Sequence, residues 1–172
     1  MDQIVLDDTD FRLLKLLQED ASLTNIEIAA RTHISAPTAL RRIKRLRQIG
    51  LIERQVALLQ PDRLATLVGH GLTALVEITL ERQGSEQLDA FEQRAVAEAE
   101  VQQCYRVSPG PDFVLVIHTR DMPSHLALTQ RLFTSNANVR NVKAFFSVKR
   151  AKFQPAYSLQ APIETTDGRN KG

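Results

Sequence analysis

The sequence predicts an α+β chain, with a winged helix-turn-helix unit first and a ferredoxin-like β-α-β-β-α-β unit after it. Three observations carry that expectation. From Ser35 to Gly50 the chain spells a short amphipathic helix whose basic residues lie opposite its apolar ones. Ahead of it, Thr24-Asn25-Ile26-Glu27 opens a shorter helix, and only Thr32-His33-Ile34 separates the two. Beyond Gly71 the apolar period changes, and four strand-like runs alternate with two helical ones in the order of a split βαβ unit.

The first helix is expected from about Thr9 to Glu19. Asp7 or Asp8 can cap it, acids near its start suit the helix dipole, and Phe11, Leu13, Leu14, Leu16 and Leu17 give it a wide apolar face. In the second, Thr24 and Glu27 form a capping box, Ile26, Ala29 and Ala30 read as the buried stripe, and Arg31-Thr32 ends it. In the third, Ser35 is a good N-cap and Pro37 sits in the first turn, where its missing N–H costs nothing; Gly50 ends the helix in a left-handed conformation. On a wheel of about 100° per residue, Ala39, Leu40, Ile43 and Leu46 face one way. Thr38, Arg41, Lys44, Arg45 and Gln48 face the other, with Arg42 and Arg47 at the boundary. Leu51 to Leu59 reads as a strand, the wing, closing near Pro61.

Charge is arranged rather than abundant. The whole chain has a net charge of only +2. Met1 to Glu27 holds Asp2, Asp7, Asp8, Asp10, Glu19, Asp20 and Glu27 against Arg12 and Lys15. Arg41 to Arg54 holds Arg41, Arg42, Lys44, Arg45, Arg47 and Arg54 against Glu53 alone. Such a dipolar unit presents its positive end to phosphates.

Pro61, Gly69 and Gly71 bracket a short helical or hinge segment. After it, Leu72–Leu80 reads as a strand, Ser85–Ala99 as a helix with Leu88, Phe91, Ala95 and Val96 inward, and Val101–Val107 as a strand. Ser108-Pro109-Gly110-Pro111 is a turn, Phe113–His118 a buried strand, and a helix follows Asp121-Met122-Pro123 to about Leu132. Val139–Lys149 is the last strand. Two helices cover one face of a four-stranded sheet, and the alternating apolar residues of the other face call for a second copy, so a homodimer is the minimum assembly. The expected organisation is 1–60 for the helix-turn-helix unit, 61–71 for the hinge, 72–155 for the ferredoxin-like unit and 156–172 for a C-terminal segment forming a mobile tail, notably from Ala161.

At 172 residues and 43% hydrophobic content, the chain can bury one good core or two small ones. The longest apolar runs are strand-sized, so no membrane span is expected, and an acidic start without an apolar signal region places the protein in the cytoplasm. Cys104 is the single cysteine, which rules out an intramolecular disulfide, and it reads as a small core or interface residue. His33, His70, His118 and His125 show no metal-ligand spacing, so no metal is expected. Phosphate-binding glycine loops and nucleophile motifs are absent, so no catalytic residue and no cofactor are expected.

Taken together, Leu6-Asp7, Leu13-Leu14, Ser35-Ala36-Pro37-Thr38, Leu40-Arg41-Arg42-Ile43-Lys44-Arg45-Leu46 and Gly50-Leu51-Ile52 resemble the leucine-responsive and asparagine-synthase-regulator (Lrp/AsnC) family of prokaryotic transcription factors. Val76-Glu77-Ile78, Cys104, Val107-Ser108 and Asp112-Phe113 resemble that family's regulator-of-amino-acid-metabolism domain. The resemblance spans about residues 6 to 155 and implies a sequence-specific regulator that binds double-stranded DNA. It further implies pairing through the sheets, assembly into rings such as octamers, and an amino-acid effector bound near the turn after the second strand. Here that turn supplies Ser108, Gly110, Asp112 and Phe113, with Asp112 the expected polar contact and the amides around Gly110 suited to a carboxylate. Pro109 stands where the family has glycine, and Pro111 follows, so N–H groups are lost from the turn. His33 also replaces a customary glycine, in a turn that histidine tolerates.

At DNA, Pro37, Thr38, Arg41 and Arg45 are the candidates for base edges, and Arg42, Lys44, Arg47 and Arg54 for phosphates. A dimer presents two such helices and implies a roughly palindromic operator. Two competing functions remain at this level. One is an amino-acid-binding enzyme or regulatory subunit that carries a basic helix; the other is a largely nonspecific DNA-packaging protein.

Overall fold

The computed structural model describes residues 5–69, 71–136 and 138–160. They fall into two compact units, one built from the residues up to Ala57 with those from Phe153 onward, the other spanning Leu58–Lys152. His70 and the tail expected from Ala161 to Gly172 lie outside the described residues.

In the first unit the helices are α1 (Asp8–Glu19), α2 (Asn25–Thr32) and α3 (Ala36–Gln48). Each begins at a side chain that accepts an otherwise unpaired backbone N–H. Asp7 caps α1 in a reciprocal box with Asp10, Thr24 and Glu27 do the same for α2, and Ser35 caps α3. α2 ends in a left-handed His33 (φ 57°, ψ 42°), the conformation the tight turn requires. α3 ends in a Schellman turn: Gly50 has φ +74°, and the Leu51 N–H donates to the Leu46 carbonyl at 3.0 Å. Leu13, Leu46 and Ala39 are fully buried, with Ile28, Ala29, Ile43 and Leu14 around them. Each large side chain of this set contributes roughly 1.5–3 kcal/mol by leaving water.

Three expectations for this unit are corrected. The stripe of α2 is Ile28, Ala29 and Thr32, whereas Ile26 is exposed. Thr32 can be buried because its hydroxyl donates to the Ile28 carbonyl at 2.7 Å, so a polar residue holds a core position. Leu51 to Leu59 forms no strand; residues 53–60 have no regular secondary structure, since no neighbouring strand offers them a ladder among the described residues. Residues 156–160, expected within the mobile tail, are held on α1. The Tyr157 N–H donates to Gln18 Oε1 at 2.7 Å, Gln18 Nε2 returns a bond to the Tyr157 carbonyl, and Leu159 packs beside the helical core.

The second unit opens with α4 (Pro61–Val68), which buries none of its side chains. It continues as β1 (Leu72–Leu80), α5 (Ser85–Ala97), β2 (Val101–Arg106), β3 (Phe113–Thr119), α6 (Met122–Thr129) with a π-helical turn (Gln130–Thr134), and β4 (Val139–Phe146). The sheet order is β2-β3-β1-β4 with every pair antiparallel, the ferredoxin-like arrangement. Alternation decides which face is covered: Ala74, Val76, Ile78 and Leu80 of β1 and Phe113, Leu115 and Ile117 of β3 are fully buried. They pack against Phe91 and Ala95 of α5 and against Leu128, Leu132 and Phe133. Val96, expected inward, is exposed near the end of α5. The other face carries Leu75 in register with Val116 and Phe145, and Glu77 in register with Val114 and Lys143. Leu75 is 45% and Phe145 54% exposed on that face. No described helix is long and apolar enough to cross a membrane.

Candidate nucleic-acid and effector interfaces

The basic helix is anchored by a carboxylate that local sequence reading assigned only to the dipole of α1. Asp10, on α1, is 1% exposed. Arg42 Nη1 lies 2.9 Å from Asp10 Oδ1, and Arg45 Nη1 lies 3.0 Å from Asp10 Oδ2. Arg42 also pairs with Asp7 at 2.8 Å, and Arg45 Nη2 donates to the Val5 carbonyl at 2.8 Å. The Asp10 N–H, followed by the Arg42 guanidinium, holds the Asp7 carboxyl below its ordinary pKa. Asp10 and Asp7 in turn raise that of Arg42. These four charges close a cleft of about 350 Å³ that Val5 and Arg41 also line.

Arg45, expected at a base edge, and Arg42, expected at a phosphate, have their guanidinium groups paired with the start of α1. Two of the six cations between Arg41 and Arg54 thus neutralise the acidic end of the same unit, and the positive face is smaller than the charge count implies.

What remains outward on α3 is a stripe at helical spacing: Pro37, Leu40, Arg41, Lys44 and Gln48, with Arg47 beside it, all exposed. Leu40, expected on the core side, is 52% exposed, because Ala39, Ile43 and Leu46 complete that side without it. Arg41 and Lys44 make no ion pair or hydrogen bond among the described residues. Thr38 is half-buried, its hydroxyl 2.8 Å from that of Ser35 at the tip of the helix. Arg47 donates to Gln55 Oε1 at 2.7 Å, and Arg54 lies 3.6 Å from Glu53 with both side chains in solvent.

In the second unit, the loop joining β2 to β3 holds the four expected effector residues, and the structure divides them. Ser108 and Gly110 are exposed, and Gly110 has φ +124°, which a side chain would strain. Asp112, expected as the polar effector contact, is bonded within the fold. Its Oδ2 accepts the Leu80 N–H at 2.6 Å and the Gln83 amide at 3.2 Å, while its own N–H donates to the Ile78 carbonyl at 2.8 Å. It fastens the loop to the end of β1. Phe113, also expected there, is fully buried, with its ring 4.8 Å from that of Phe91 and the Arg106 guanidinium 5.7 Å from its centroid. Arg106 itself is held by Asp89 and Glu92 of α5.

Cys104 is half-buried against the helix-covered face, where burial raises its thiol pKa. His118 Nδ1 lies 2.9 Å from the Thr73 hydroxyl, and His125 is buried edge-on to Phe146 with its pKa lowered by desolvation. No group of three or more His, Cys, Asp or Glu able to hold a metal ion occurs among the described residues.

Comparison with known proteins decides the family. The chain is 33% identical over 147 residues to an HTH-type transcriptional regulator of Haemophilus influenzae, covering 86% of this chain and 85% of the relative. It is 31% identical over 150 residues to the leucine-responsive regulatory protein of Rhizobium meliloti, covering 87% and 94%. Profiles for the winged helix-turn-helix DNA-binding domain and the Lrp/AsnC ligand binding domain match residues 6–53 and 73–157. The chain belongs to the Lrp/AsnC family. This Lrp/AsnC protein is a DNA-binding transcriptional regulator with a ligand-binding domain. Among solved structures, the Neisseria meningitidis transcriptional regulator in complex with L-methionine is similar at a TM-score of 0.79 and 27% identity, covering 90% of this chain and 97% of that one. An AsnC family regulator from Agrobacterium tumefaciens has the same score and identity.

In this Lrp/AsnC regulator the signal for Asp10 lay partly in the sequence, since Asp7-x-x-Asp10 has capping-box spacing. Its two arginine partners lie 32 and 35 positions away, beyond any local pattern.

Proposed function

We propose that the regulator reads DNA with the exposed stripe of α3 and responds to an amino acid bound by the second unit as a homodimer or a larger assembly of dimers. The observation that supports the DNA reading most directly is the division of the cations: Arg42 and Arg45 hold α3 on Asp10, while Arg41 and Lys44 face solvent unpaired among the described residues. Arg41, a turn from the tip at Pro37 and Thr38, is assigned to guanine O6 and N7. Lys44, Arg47 and Arg54 are assigned to phosphates. Arg41→Ala is expected to cost about 1–3 kcal/mol of specific binding and to relax sequence preference, whereas Lys44→Ala weakens all duplexes alike. Titration of both variants on a selected duplex and on random DNA checks this. Equal losses for Arg41→Ala on the two DNAs refute the assignment, and a wild type that binds both equally favours the DNA-packaging alternative.

The dimer reading is supported by the open sheet face, where Leu75, Val116 and Phe145 form an apolar row in register. Two α3 helices then meet two half-sites of a roughly palindromic operator. Leu75→Asp should convert the protein to monomers in sedimentation velocity, because a carboxylate on that row cannot be desolvated without a partner. Unchanged mass moves the interface elsewhere, and a wild-type mass above the dimer supports the larger ring, up to an octamer. We place its work in the cytoplasm with the DNA.

The amino-acid reading is supported by relatives: the leucine-responsive protein above, a glutamate uptake regulatory protein of Zymomonas mobilis at 32% identity over 162 residues, and the L-methionine complex. Within the loop, the exposed Ser108 and the backbone at Gly110 are the contacts most open to an effector, with Asp112 beside them. A thermal-shift screen of the amino acids, followed by DNA titration with each hit, tests it. A true effector must shift both melting and DNA affinity, since a ligand regulates only by binding two states unequally. Turnover of an amino acid that survives deletion of residues 1–60 would instead establish the enzyme reading.

A further inference from the structure

We propose that Leu40 determines specificity by reading thymine, its side chain packing on the 5-methyl groups of thymine bases in the major groove. This rests on the reading that the exposed face of α3 enters the groove. Leu40 stands three residues after Pro37 and four before Lys44, next to Arg41, and all four are exposed. It therefore occupies the middle of that face. The fold does not need it there: Ala39, Ile43 and Leu46 are 0%, 4% and 0% exposed and complete the packed side of the helix. Leu40 is the single leucine among outward residues that are otherwise proline, basic or amide, and 52% of its surface is left in water.

The major groove offers one apolar feature to such a side chain. Each base presents donors and acceptors there, and only thymine adds a methyl group. Arg41 at the adjacent position favours guanine, so the pair selects half-sites in which a thymine lies close to a guanine. A smaller or polar side chain at position 40 would leave the guanine contact intact and lose the thymine preference.

The full-length protein is first used to select its preferred duplex from a random library. Each thymine of that duplex is then replaced singly by deoxyuracil, which removes only the methyl group, and binding is measured for wild type and Leu40→Ala. Wild type should lose affinity about fourfold at one or two thymines per half-site, the weight of one methyl-sized group taken from water. Leu40→Ala should be indifferent to uracil at those same positions while still discriminating at the guanines. Uracil sensitivity that persists unchanged in Leu40→Ala, or wild-type binding blind to every uracil, overturns the proposal while leaving the groove reading standing. Selection that yields no preferred sequence overturns both. A changed sedimentation mass in Leu40→Ala with unchanged uracil response assigns Leu40 to a protein contact instead. The wild-type uracil scan stands even should the variant fold poorly.

Discussion

Asp10→Ala should destabilise the helix-turn-helix unit by about 3–5 kcal/mol, the cost of stripping one partner from a buried charge pair. The Asp10 carboxylate is 1% exposed and accepts from two arginines, and Arg42 already has a buried Nε without a partner. Removing the carboxylate leaves Arg42 with only Asp7, which lies half in solvent. Against a typical total of roughly 5–15 kcal/mol for a domain, such a loss is large enough to unfold much of the population. Urea unfolding followed by far-ultraviolet circular dichroism measures it. Asp10→Asn keeps the shape and one acceptor and should fall between Ala and wild type. Arg45→Ala should cost less than either, because its side chain is 42% exposed and water replaces part of what it loses. Because α3 is then held less firmly against α1, Asp10→Asn should weaken binding to all duplexes in the same proportion. Preference among sequences, which the outward stripe sets, should survive. Stability of Asp10→Ala within about 1 kcal/mol of wild type would show the pair to be energetically neutral, as some buried pairs are.

Phe113→Ala should cost about 3–5 kcal/mol in the ferredoxin-like unit, in the absence of any effector. The side chain is fully buried between β3 and α5 and touches the Phe91 ring. Truncation opens a cavity that the surrounding β-sheet, held by ladders on both sides of β3, cannot collapse to fill. The comparison that separates core from site is Ser108→Ala, which should leave melting unchanged and alter only the response to an amino acid. Normal melting of Phe113→Ala with a lost ligand response would return Phe113 to the effector site and contradict its packing.

The local rules were legible throughout. Asp7, Thr24 and Ser35 cap the helices as their side chains predict, and Gly50 and His33 take the left-handed conformations their turns need. The Ser108–Pro111 turn marked the hairpin between β2 and β3, whereas the continuous apolar run of β3 did not distinguish its covered face, which the alternating burial in the fold reveals. The candidate site was legible only as a set of residue types. Leu40 was assigned to the core side with the other apolar residues, and Arg45 was read without its carboxylate partner. In the fold, a buried carboxylate draws Arg45 inward, and three smaller or better-placed side chains leave Leu40 outside.

Sequence by itself determined the family, the three helices of the first unit and the β-α-β-β-α-β order of the second, because caps, turns and periodicity act within a few residues and survive in a chain read linearly. Tertiary structure alone decided which cations of α3 are paired with carboxylates, that Asp112 fastens a loop to β1, that Phe113 is core, and that Tyr157 returns to Gln18. Those outcomes depend on charges and rings tens of residues apart, whose pairing is set by where the packed helices and strands bring them. The physical reason is that desolvation rewards the nearest complementary partner in space, whatever its distance along the chain.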